Sequence, residues 1–413
     1  MLDELLVAFG VSATVIPKMW AKPENSNESL RNPDRAPGLS AIHSTLEMYK
    51  KQLLPGPRLD TLSDTLLGHI SNLMPLYDGS FGQGSPTRVL SLKDFCASVL
   101  VDALTRTLFG EHIRNLEPNI VQCLLDFNDD AWMLVFKYPQ SANSKLNVAR
   151  NRILKGFVKY LDSPEHVRLG KSWLIDEVMK MLSNVDINNK DRAAMLLMIY
   201  WAANINPYKL AFWMLTYILF DSKLHAVLRE ETSHAYKDGE IDVTYLMAEC
   251  PRLDAVYLEV LRIVNTALSA RKIVAPTPLG DKVLRSGNTI LIAFKQLHSN
   301  QAVYGVDPMH FDPDRFLKDK NLKNSSSYKP FGGGVNYCPG RFLAKQEMLV
   351  FVALVLNRYN IRLATQNSDG KSMSQPQHFP KLDMFTPALG VNGPIKGTDV
   401  WVELGVREGT SLA

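Results

Sequence analysis

Hydrophobic residues recur at helical spacing through the first two thirds of the chain. Over residues 59–74 the apolar positions lie three or four residues apart, which places them on one face of a helix. The same pattern predicts helices over 90–109, 119–137, 145–162, 172–183, 190–235 and 252–263, with a short helix near 41–52. Such a succession of helices without intervening strands is typical of a mainly helical protein.

Strand-like sequences are found mainly in the last third of the chain. Short runs rich in apolar and β-branched residues predict strands over 271–274, 289–293 and 400–404. This order favours a mainly α fold with a small β region over a repeating strand–helix–strand fold. Residues 21–57 are rich in Pro, Asn and Ser, so we expect an irregular N-terminal segment over 1–58 and a single folded domain over 59–413.

The longest apolar segment, residues 193–220, raises the question of a membrane-spanning helix. It carries Asn204, Asn206, Pro207 and Lys209 near its middle, and such residues are costly in lipid. A buried central helix, kinked at Pro207, is therefore the better interpretation. The apolar stretch at the N-terminus lacks the basic residues of a signal peptide and is too short to span a bilayer.

Composition narrows the class of protein. Hydrophobic residues make up 46% of the chain and charged residues 21%, which is typical of a globular protein with a sizeable core. The formal net charge of +4 and the lack of a basic stripe give no reason to expect a nucleic-acid partner. The four cysteines, Cys96, Cys123, Cys250 and Cys338, lack the spacing of a zinc site or a disulfide framework. The first three lie in apolar helical sequence and are expected to be buried.

Cys338 lies in a different sequence context. Three glycines, 332–334, precede it, and Gly340 and an apolar helix follow. Glycine lets the backbone approach a flat ligand closely, and a helix N-terminus favours the thiolate form of a nearby cysteine. A thiol protease would also need a positioned histidine, for which there is no motif. Two interpretations stay open from these residues alone: a metal-binding thiolate, or a buried cysteine at a glycine-rich turn.

Two arginines and a carboxylate precede this loop in the sequence. Glu259 and Arg262 are three residues apart on a predicted helix, which places them on one face. Arg315 follows in a loop of sequence FDPDRF. A carboxylate held between two arginines would fix a long loop to a helix. The alternative is a solvated surface ion pair, worth less than about 1 kcal/mol.

Three features, taken in their order along the chain, resemble three motifs of the cytochrome P450 superfamily. They are the Glu259–Arg262 pair, Arg315 and the sequence FGGGVNYCPG around Cys338. The resemblance extends from about residue 60 to the end of the chain. It implies the cytochrome P450 fold and a heme b cofactor whose iron has Cys338 as its axial thiolate. It also implies that Phe331, Gly332 and Gly340 belong to the heme-binding loop, and that Glu259, Arg262 and Arg315 form a structural triad.

The central helix resembles one branch of the superfamily. The sequence WAANINPYKLAFW is similar to the branch of prostacyclin synthase and the sterol hydroxylases, whereas SARKIVAP and QLHSN are more like fungal members that act in secondary metabolism. Asn206 and Pro207 stand where most members carry an acid followed by Thr. Asn206 is therefore the candidate for a catalytic role on the distal side, the side of the heme opposite Cys338, where it would act through an ordered water. The alternative is that Asn206 is simply a packed side chain.

A second departure concerns the heme propionates. Asn336 stands where many members of the superfamily have Arg or His. The resemblance then implies Arg271 as the propionate partner, with help from His298. An ordinary cation at the edge of a strand is the other interpretation of Arg271.

The resemblance also implies an activity. We expect a heme-thiolate monooxygenase that inserts one oxygen atom from dioxygen into an apolar small molecule (a terpenoid, sterol, polyketide or lipid). Electrons would come from NADPH–cytochrome P450 reductase on the cytosolic face of the endoplasmic reticulum membrane. The membrane surface would be a further partner, and residues 1–58 would lie near the route by which the substrate enters. One alternative is a reductase-independent peroxide isomerase or dehydratase of the prostacyclin synthase type. Another is a truncated, inactive copy, because the N-terminal anchor and first strands of the family are expected to be lacking.

Overall fold

Serine caps and prolines set the starts of several helices. Ser40, Ser144 and Ser172 each accept a hydrogen bond from the backbone N–H three residues ahead, which satisfies one free donor at the helix start. Proline occupies the first position of the helices that begin at Pro207 and Pro251, where no N–H is needed. The computed structural model describes residues 2–22, 38–78, 87–139, 141–142, 144–237, 239–334, 337–365 and 376–407.

Helices make up most of the described chain. In chain order they are α1 (Leu2–Phe9), α2 (Ile16–Trp20), α3 (Ala41–Leu53), α4 (Pro57–Leu73), α5 (Leu92–Phe109), α6 (His112–Leu116), α7 (Ile120–Val135), α8 (Lys145–Asp162), α9 (Trp173–Asn184), α10 (Asn189–Asn204), α11 (Pro207–Leu219), α12 (Ser222–Ser233), α13 (Val243–Glu249), α14 (Pro251–Val264), α15 (Phe294–His298), α16 (Gln301–Tyr304), α17 (Arg315–Lys318) and α18 (Arg341–Arg358).

The strands are short and antiparallel. In chain order they are β1 (Thr87–Ser91), β2 (Tyr236–Lys237), β3 (Glu240–Ile241), β4 (Leu268–Lys272), β5 (Thr277–Leu279), β6 (Lys282–Leu284), β7 (Thr289–Ala293), β8 (Tyr359–Leu363) and β9 (Trp401–Val406). The largest sheet has the order β1-β9-β8, and the other strands form the pairs β2-β3, β4-β7 and β5-β6. The prediction of a mainly α fold with a small β region is confirmed.

The chain divides into two compact units. The first contains Met1–His69, Val101–Asn204 and Pro339–Leu343. In it, α8 packs against both α7 and α10, and α1 packs against α7 and α10. The ring of Phe9 lies 5.5 Å from that of Phe127 and 5.0 Å from that of Trp201, both measured between centroids. These aromatic contacts place the core of the first unit between helices.

The second unit contains Ile70–Leu100, Ile205–Cys338 and Ala344–Ala413. Its core includes α11, α14 and α18, whose apolar side chains are buried, together with the inward face of β9. In β9 the register pairs Val402 with Leu90 of β1 and Leu404 with Ile361 of β8. Because every candidate site residue except Gly340 belongs to this unit, its internal contacts carry the functional argument.

Two expectations about local structure need correction. The predicted central helix is interrupted: α10 ends at Asn204 and α11 begins at Pro207, since proline has no N–H to donate and its ring crowds the carbonyl one turn earlier. The predicted irregular segment 1–58 contains α1, α2 and α3 in its described part, although the helix expected near 41–52 is confirmed. The proposed boundary between a 1–58 segment and a 59–413 domain stays a prediction. Among the described residues, no helix has both the length and the apolar character needed to cross a membrane.

Candidate functional site

A buried carboxylate joins two arginines in the second unit. The Glu259 side chain is 0% exposed and accepts two hydrogen bonds from Arg262, at 2.8 Å from Nε and 2.7 Å from Nη2. Arg315 Nε donates to the same carboxylate at 3.0 Å, and the backbone N–H of Asp312 donates at 3.2 Å. The surface ion pair that the spacing also allowed is therefore excluded. A bidentate pair of this kind fixes both geometry and charge.

The two arginines connect this carboxylate to distant backbone segments. Arg262 Nη1 donates to the carbonyl oxygens of His298, at 2.7 Å, and of Pro308. Arg315 Nη1 donates to the carbonyl of Tyr304 at 2.8 Å. Helix α14 is thereby tied to α15, α16 and the loop that follows them. The network joins residue 259 to residue 315, so it fixes a long connection made of the short strands β4 to β7 and the short helices α15 and α16.

The loop that carries Cys338 is attached to the same region. The backbone N–H of Lys329 donates to Nε2 of His298 at 3.0 Å. Asn265, the residue that follows α14, donates from Nδ2 to the carbonyl of Pro330 at 2.6 Å. Within the loop, the backbone N–H of Cys338 donates to the carbonyl of Phe331 at 3.1 Å. His298 and Asn265 therefore hold the start of the loop, and the hydrogen bond between Cys338 and Phe331 fixes the position of the cysteine.

Cys338 differs from the other cysteines in its exposure. Cys96, Cys123 and Cys250 are buried, as their sequence context predicted, and Cys338 is half-buried. Burial raises the pKa of the Cys123 thiol, and it raises that of Cys250 to about 11, so these thiols are held protonated. Only the Cys338 thiol combines partial exposure with a glycine-rich loop and a following helix.

The glycines leave open space beside this cysteine. Gly332 and Gly334 have φ of +77° and +70°, a backbone region that favours glycine. A Cβ at Gly332 would meet only the tip of the Phe294 ring at 3.9 Å, and a Cβ at Gly334 would meet no described atom within 4 Å. Space is thus open at both glycines, which suits the close approach of a planar ligand.

Comparison with known proteins agrees with this geometry. The family pattern of Cytochrome P450 matches residues 80–383 of the chain, well over half of its length. The chain belongs to the cytochrome P450 family. This identification rests on the matched residues together with the placement of Glu259, Arg262, Arg315 and Cys338.

Several characterised P450 proteins are similar to this chain. The cytochrome P450 monooxygenase poxD of Penicillium oxalicum is 27% identical over 65% of this chain and 57% of its own length. The monooxygenase efuG of Hormonema carpetanum is 26% identical over 86% of this chain and 70% of its own. Cholesterol 7-alpha-monooxygenase of Cricetulus griseus is 24% identical over 83% of this chain and 71% of its own. The chain thus spans little more than half the length of the first of these relatives.

A solved structure shows the same fold. The retinoic-acid-bound cyanobacterial CYP120A1 superposes with a TM-score of 0.69 and 16% sequence identity, over 95% of this chain and 88% of that one. At this identity the likeness concerns the fold alone. P450 membership implies heme as the cofactor, with its iron held by a cysteine thiolate. The half-buried Cys338 and the open glycine loop beside it fit such a group.

The residues predicted to contact the heme differ in exposure and in their hydrogen-bond partners. Arg271 is exposed on β4 and donates to the carbonyl of Ala270 at 2.9 Å. His298 is 0% exposed, and its Nε2 already accepts the Lys329 N–H. Phe331 and Gly340 are half-buried in the loop and in the turn before α18, respectively. Their contacts with heme stay predictions, and Asn336 lies outside the described residues.

Asn206, the distal candidate, makes a structural contact. It is half-buried at the start of α11, and its Oδ1 accepts a hydrogen bond from the backbone N–H of Val391 at 2.8 Å. Its side chain does not cap α11. One lone pair of the oxygen is therefore already engaged, and a catalytic role through an ordered water would use the second lone pair or Nδ2. That role stays a prediction.

Three buried ionisable groups lie on α14, α15 and α18. Desolvation raises the pKa of the Glu347 carboxyl to about 8. Burial, followed by the charges of Asp254 and Cys338, raises the pKa of the Tyr257 hydroxyl well above its usual range. Burial, helped by the neighbouring Lys295 and Arg262, lowers the pKa of His298 to about 4. These groups are consequently neutral near pH 7.

Sequence reasoning missed Asn265, one of the two residues that hold the cysteine loop. Asn265 is 2% exposed and contacts Pro330 as described, while its Oδ1 accepts the backbone N–H of Ala267 at 3.0 Å. The only sequence signal is an Asn directly after a helix, and such an Asn is a common helix end. Its partner lies sixty-five residues further along the chain. Such a contact has no local pattern.

Proposed function

We propose that this P450 is a monooxygenase that inserts one oxygen atom from dioxygen into an apolar small molecule. One observation carries the proposal: the chain holds a single half-buried thiol, Cys338, on a loop that His298 and Asn265 fix to α14. The curated relatives poxD and efuG, both described as monooxygenases, support the same reaction class.

Each part of the site has a task in this proposal. A thiolate-bound heme supplies the cleavage of the O–O bond of dioxygen. Cys338 would be the iron ligand, and the backbone bond to Phe331 fixes its position. Glu259 with its two arginines keeps α14 and the following loops in place, so that the cysteine loop has a rigid support. The protein's remaining task is to bind and orient the substrate and to exclude water.

An apolar substrate is supported by the turn over residues 379–389. Phe385 is 89% exposed, Met384 55% and Leu389 44%, so three large apolar side chains are exposed on one turn. Cholesterol 7-alpha-monooxygenase acts on a sterol, and the two fungal relatives are named only as monooxygenases. We therefore propose a sterol, terpenoid, polyketide or lipid as the substrate class, and NADPH–cytochrome P450 reductase at the cytosolic face of the endoplasmic reticulum as the electron source.

The decisive test of the heme ligand is spectroscopic. In the purified heme-loaded protein, the reduced carbon-monoxide complex should show the red-shifted Soret band of a thiolate-bound iron. Cys338→Ala should abolish that band. Cys250→Ala, which changes a buried cysteine whose thiol lies against the carbonyl of Glu231, should leave it in place. An unchanged band in Cys338→Ala would overturn the assignment.

The reaction class needs a separate test. Turnover of candidate apolar substrates should require NADPH and the reductase, and the product should carry one oxygen atom from labelled dioxygen. Failure with every substrate while the thiolate spectrum persists would count against monooxygenase chemistry and leave the heme assignment intact.

A second candidate function is favoured by Asn206. Its Oδ1 is engaged with Val391, and no acid–Thr pair is present at this position, so the usual proton donors to bound dioxygen are lacking from the sequence here. A peroxide isomerase or dehydratase would need no such donors. This candidate predicts product from a lipid hydroperoxide or endoperoxide with no reductase and no dioxygen.

A further inference from the structure

A cavity of about 490 Å³ lies in the second unit at the edge of the three-stranded sheet. Its volume falls in the range of small-molecule sites. Its walls come from the start of β1, one face of α12, β8 and the end of β9. None of the residues assigned to the heme site lines it, so any ligand here would belong to a different site.

Arg229 on α12 is a half-buried cation in this wall. Its Nε donates to the carbonyl of Leu356 at 3.1 Å, and its Nη2 donates to the carbonyl of Tyr359 at 3.3 Å. Both partners are neutral, and in the described part of the chain no carboxylate lies within ion-pair distance of it. Burial, and then the charge of Arg407, lowers the pKa of Arg229. A partly buried cation without a counter-charge is costly, and an anion in the cavity would offset that cost.

His225, one turn before Arg229, completes the polar wall. Its Nε2 lies 3.3 Å from Nη2 of Arg229. Because a guanidinium can only donate, Nε2 must accept, and the ring is therefore neutral with its proton on Nδ1. Burial and the Arg229 charge lower the pKa of His225 to about 4. The wall thus presents the Arg229 cation beside a neutral histidine, which adds no further charge.

The other cation in the wall is already compensated. Arg362 donates to both oxygens of Glu403, at 3.0 and 2.9 Å, and this pair is the reason that the Glu403 pKa is lowered. Thr87 donates to the same carboxylate at 2.7 Å. The unbalanced charge of the cavity therefore resides on Arg229. In addition, β8 pairs only with β9 among the described strands, so the edge of β8 that receives Arg229 is open to a ligand.

We propose that this cavity binds a phosphate group, with Arg229 as its principal charge partner. A guanidinium donates parallel hydrogen bonds to an oxyanion, and Nη1 of Arg229 makes none of the contacts described above. The phosphate can belong to a soluble phosphate ester or to a phospholipid headgroup, which present the same chemistry. This site is independent of the proposed monooxygenase reaction.

The primary test is histidine NMR on the heme-loaded full chain, titrated with inorganic phosphate. The His225 signal is identified as the one missing from His225→Gln, and it should shift saturably. Arg229→Gln should weaken phosphate binding at least tenfold. Arg362→Gln combined with Glu403→Gln removes the paired cation of the same wall together with its counter-charge, and should change binding less than threefold. Absence of saturation, or equal losses in both variants, would overturn the proposal.

Arg229 also supports two carbonyls, so its loss could disturb the fold. Arg229→Lys keeps the charge and should retain binding within about tenfold, which separates loss of charge from loss of structure. If Arg229→Lys binds as poorly as Arg229→Gln, the charge argument fails.

Glycerol 3-phosphate and vesicles containing phosphatidate then distinguish the two sources of the phosphate group. Arg229-dependent co-sedimentation with phosphatidate vesicles, and not with phosphatidylcholine vesicles, identifies a headgroup, whereas binding of glycerol 3-phosphate alone identifies a soluble ester.

Discussion

The carboxamide oxygen of Asn206 accepts a hydrogen bond of 2.8 Å from the backbone N–H of Val391. Val391 is 3% exposed and forms an isolated bridge with Asn265. The neighbouring Gly390 accepts the backbone N–H of Thr266 at 3.0 Å. The start of α11, the turn at 390–391 and the chain after α14 are therefore held together, and Asn265 links this junction to the Cys338 loop. A residue expected to serve catalysis thus has a structural contact within the second unit.

The first prediction uses the tight space between Gly390 and Asn206. A Cβ on Gly390 would overlap the Asn206 carboxamide, so Gly390→Ala must displace that side chain and break its bond to Val391. We expect a loss of about 1–3 kcal/mol in the free energy of unfolding, from overpacking and a buried N–H without a partner. Urea unfolding followed by tryptophan fluorescence measures it.

Two further variants test the cause of that loss. Gly393→Ala adds a methyl group where no described atom lies within 4 Å, and it should cost less than about 0.5 kcal/mol. In an Asn206→Ala background, Gly390→Ala should cost much less than in the wild type, because the clashing group is gone. Additive losses would show that the two residues do not interact.

The second prediction concerns the charge at Glu259. Glu259→Gln leaves Arg262, which is 0% exposed, without its counter-charge. Breaking one side of a buried ion pair costs about 3–5 kcal/mol, so the variant should unfold at a much lower urea concentration and lose heme on purification. Asp314→Asn is the matched control, since the Arg252–Asp314 pair is roughly one-third exposed and should contribute less than about 1 kcal/mol. Equal effects of the two variants would contradict the structural role of Glu259.

Part of this site follows from sequence spacing alone. Glu259 and Arg262 face the same side of α14 because three residues complete nearly one helical turn. The buried state of Cys96, Cys123 and Cys250 follows from their apolar helical surroundings, and the mainly α fold follows from the periodicity of the apolar positions. In each of these cases the signal lies within a few residues of the feature that it predicts.

The remainder depends on contacts between distant parts of the chain. His298 lies thirty-one residues before Lys329, and Asn206 lies 185 residues before Val391. No local periodicity encodes such pairings, so the contacts of His298 and Asn206 could not be predicted from the sequence. Their expected roles at a heme propionate and at a catalytic water stay predictions. The interruption at Pro207 was expected only as a kink, because a proline does not specify whether tertiary packing restores the helix. Helices α1 and α2, which lie before the Pro- and Asn-rich stretch 21–57, were included in the irregular segment, whereas α3 within that stretch was predicted.

The third prediction is a pH dependence that involves His298. Its pKa of about 4 in the folded state is below the ordinary value near 6.5, because burial disfavours the charged ring. Between these two values the unfolded state binds a proton that the folded state does not. Stability should therefore fall as the pH is lowered from about 6.5 to about 4. His225 contributes with the same sign, since its pKa is also lowered to about 4.

Replacing His298 isolates its share of this effect. In His298→Gln the amide oxygen can still accept the Lys329 N–H, but the side chain no longer titrates. The difference in unfolding free energy between pH 7 and pH 5 should therefore be smaller than in the wild type. His310→Gln, which changes an exposed histidine, should keep the wild-type slope. An unchanged slope in His298→Gln would mean that its ring is not protonated on unfolding in this range.

The fourth prediction concerns Glu347 on α18 and has the opposite sign. The carboxyl is 2% exposed, its Oε1 has no hydrogen-bond partner among the described residues, and desolvation raises its pKa to about 8. Between about 4.5 and 8 the folded state keeps a proton that the unfolded state releases, so raising the pH through this window favours unfolding. Glu347→Gln keeps the shape and the neutral state at every pH. It should match the wild type at pH 5 and exceed its stability by on the order of a few kcal/mol at pH 9, as measured by urea unfolding at both values. Parallel pH profiles for the two proteins would show that this carboxyl is already ionised, and therefore hydrated, in the folded state.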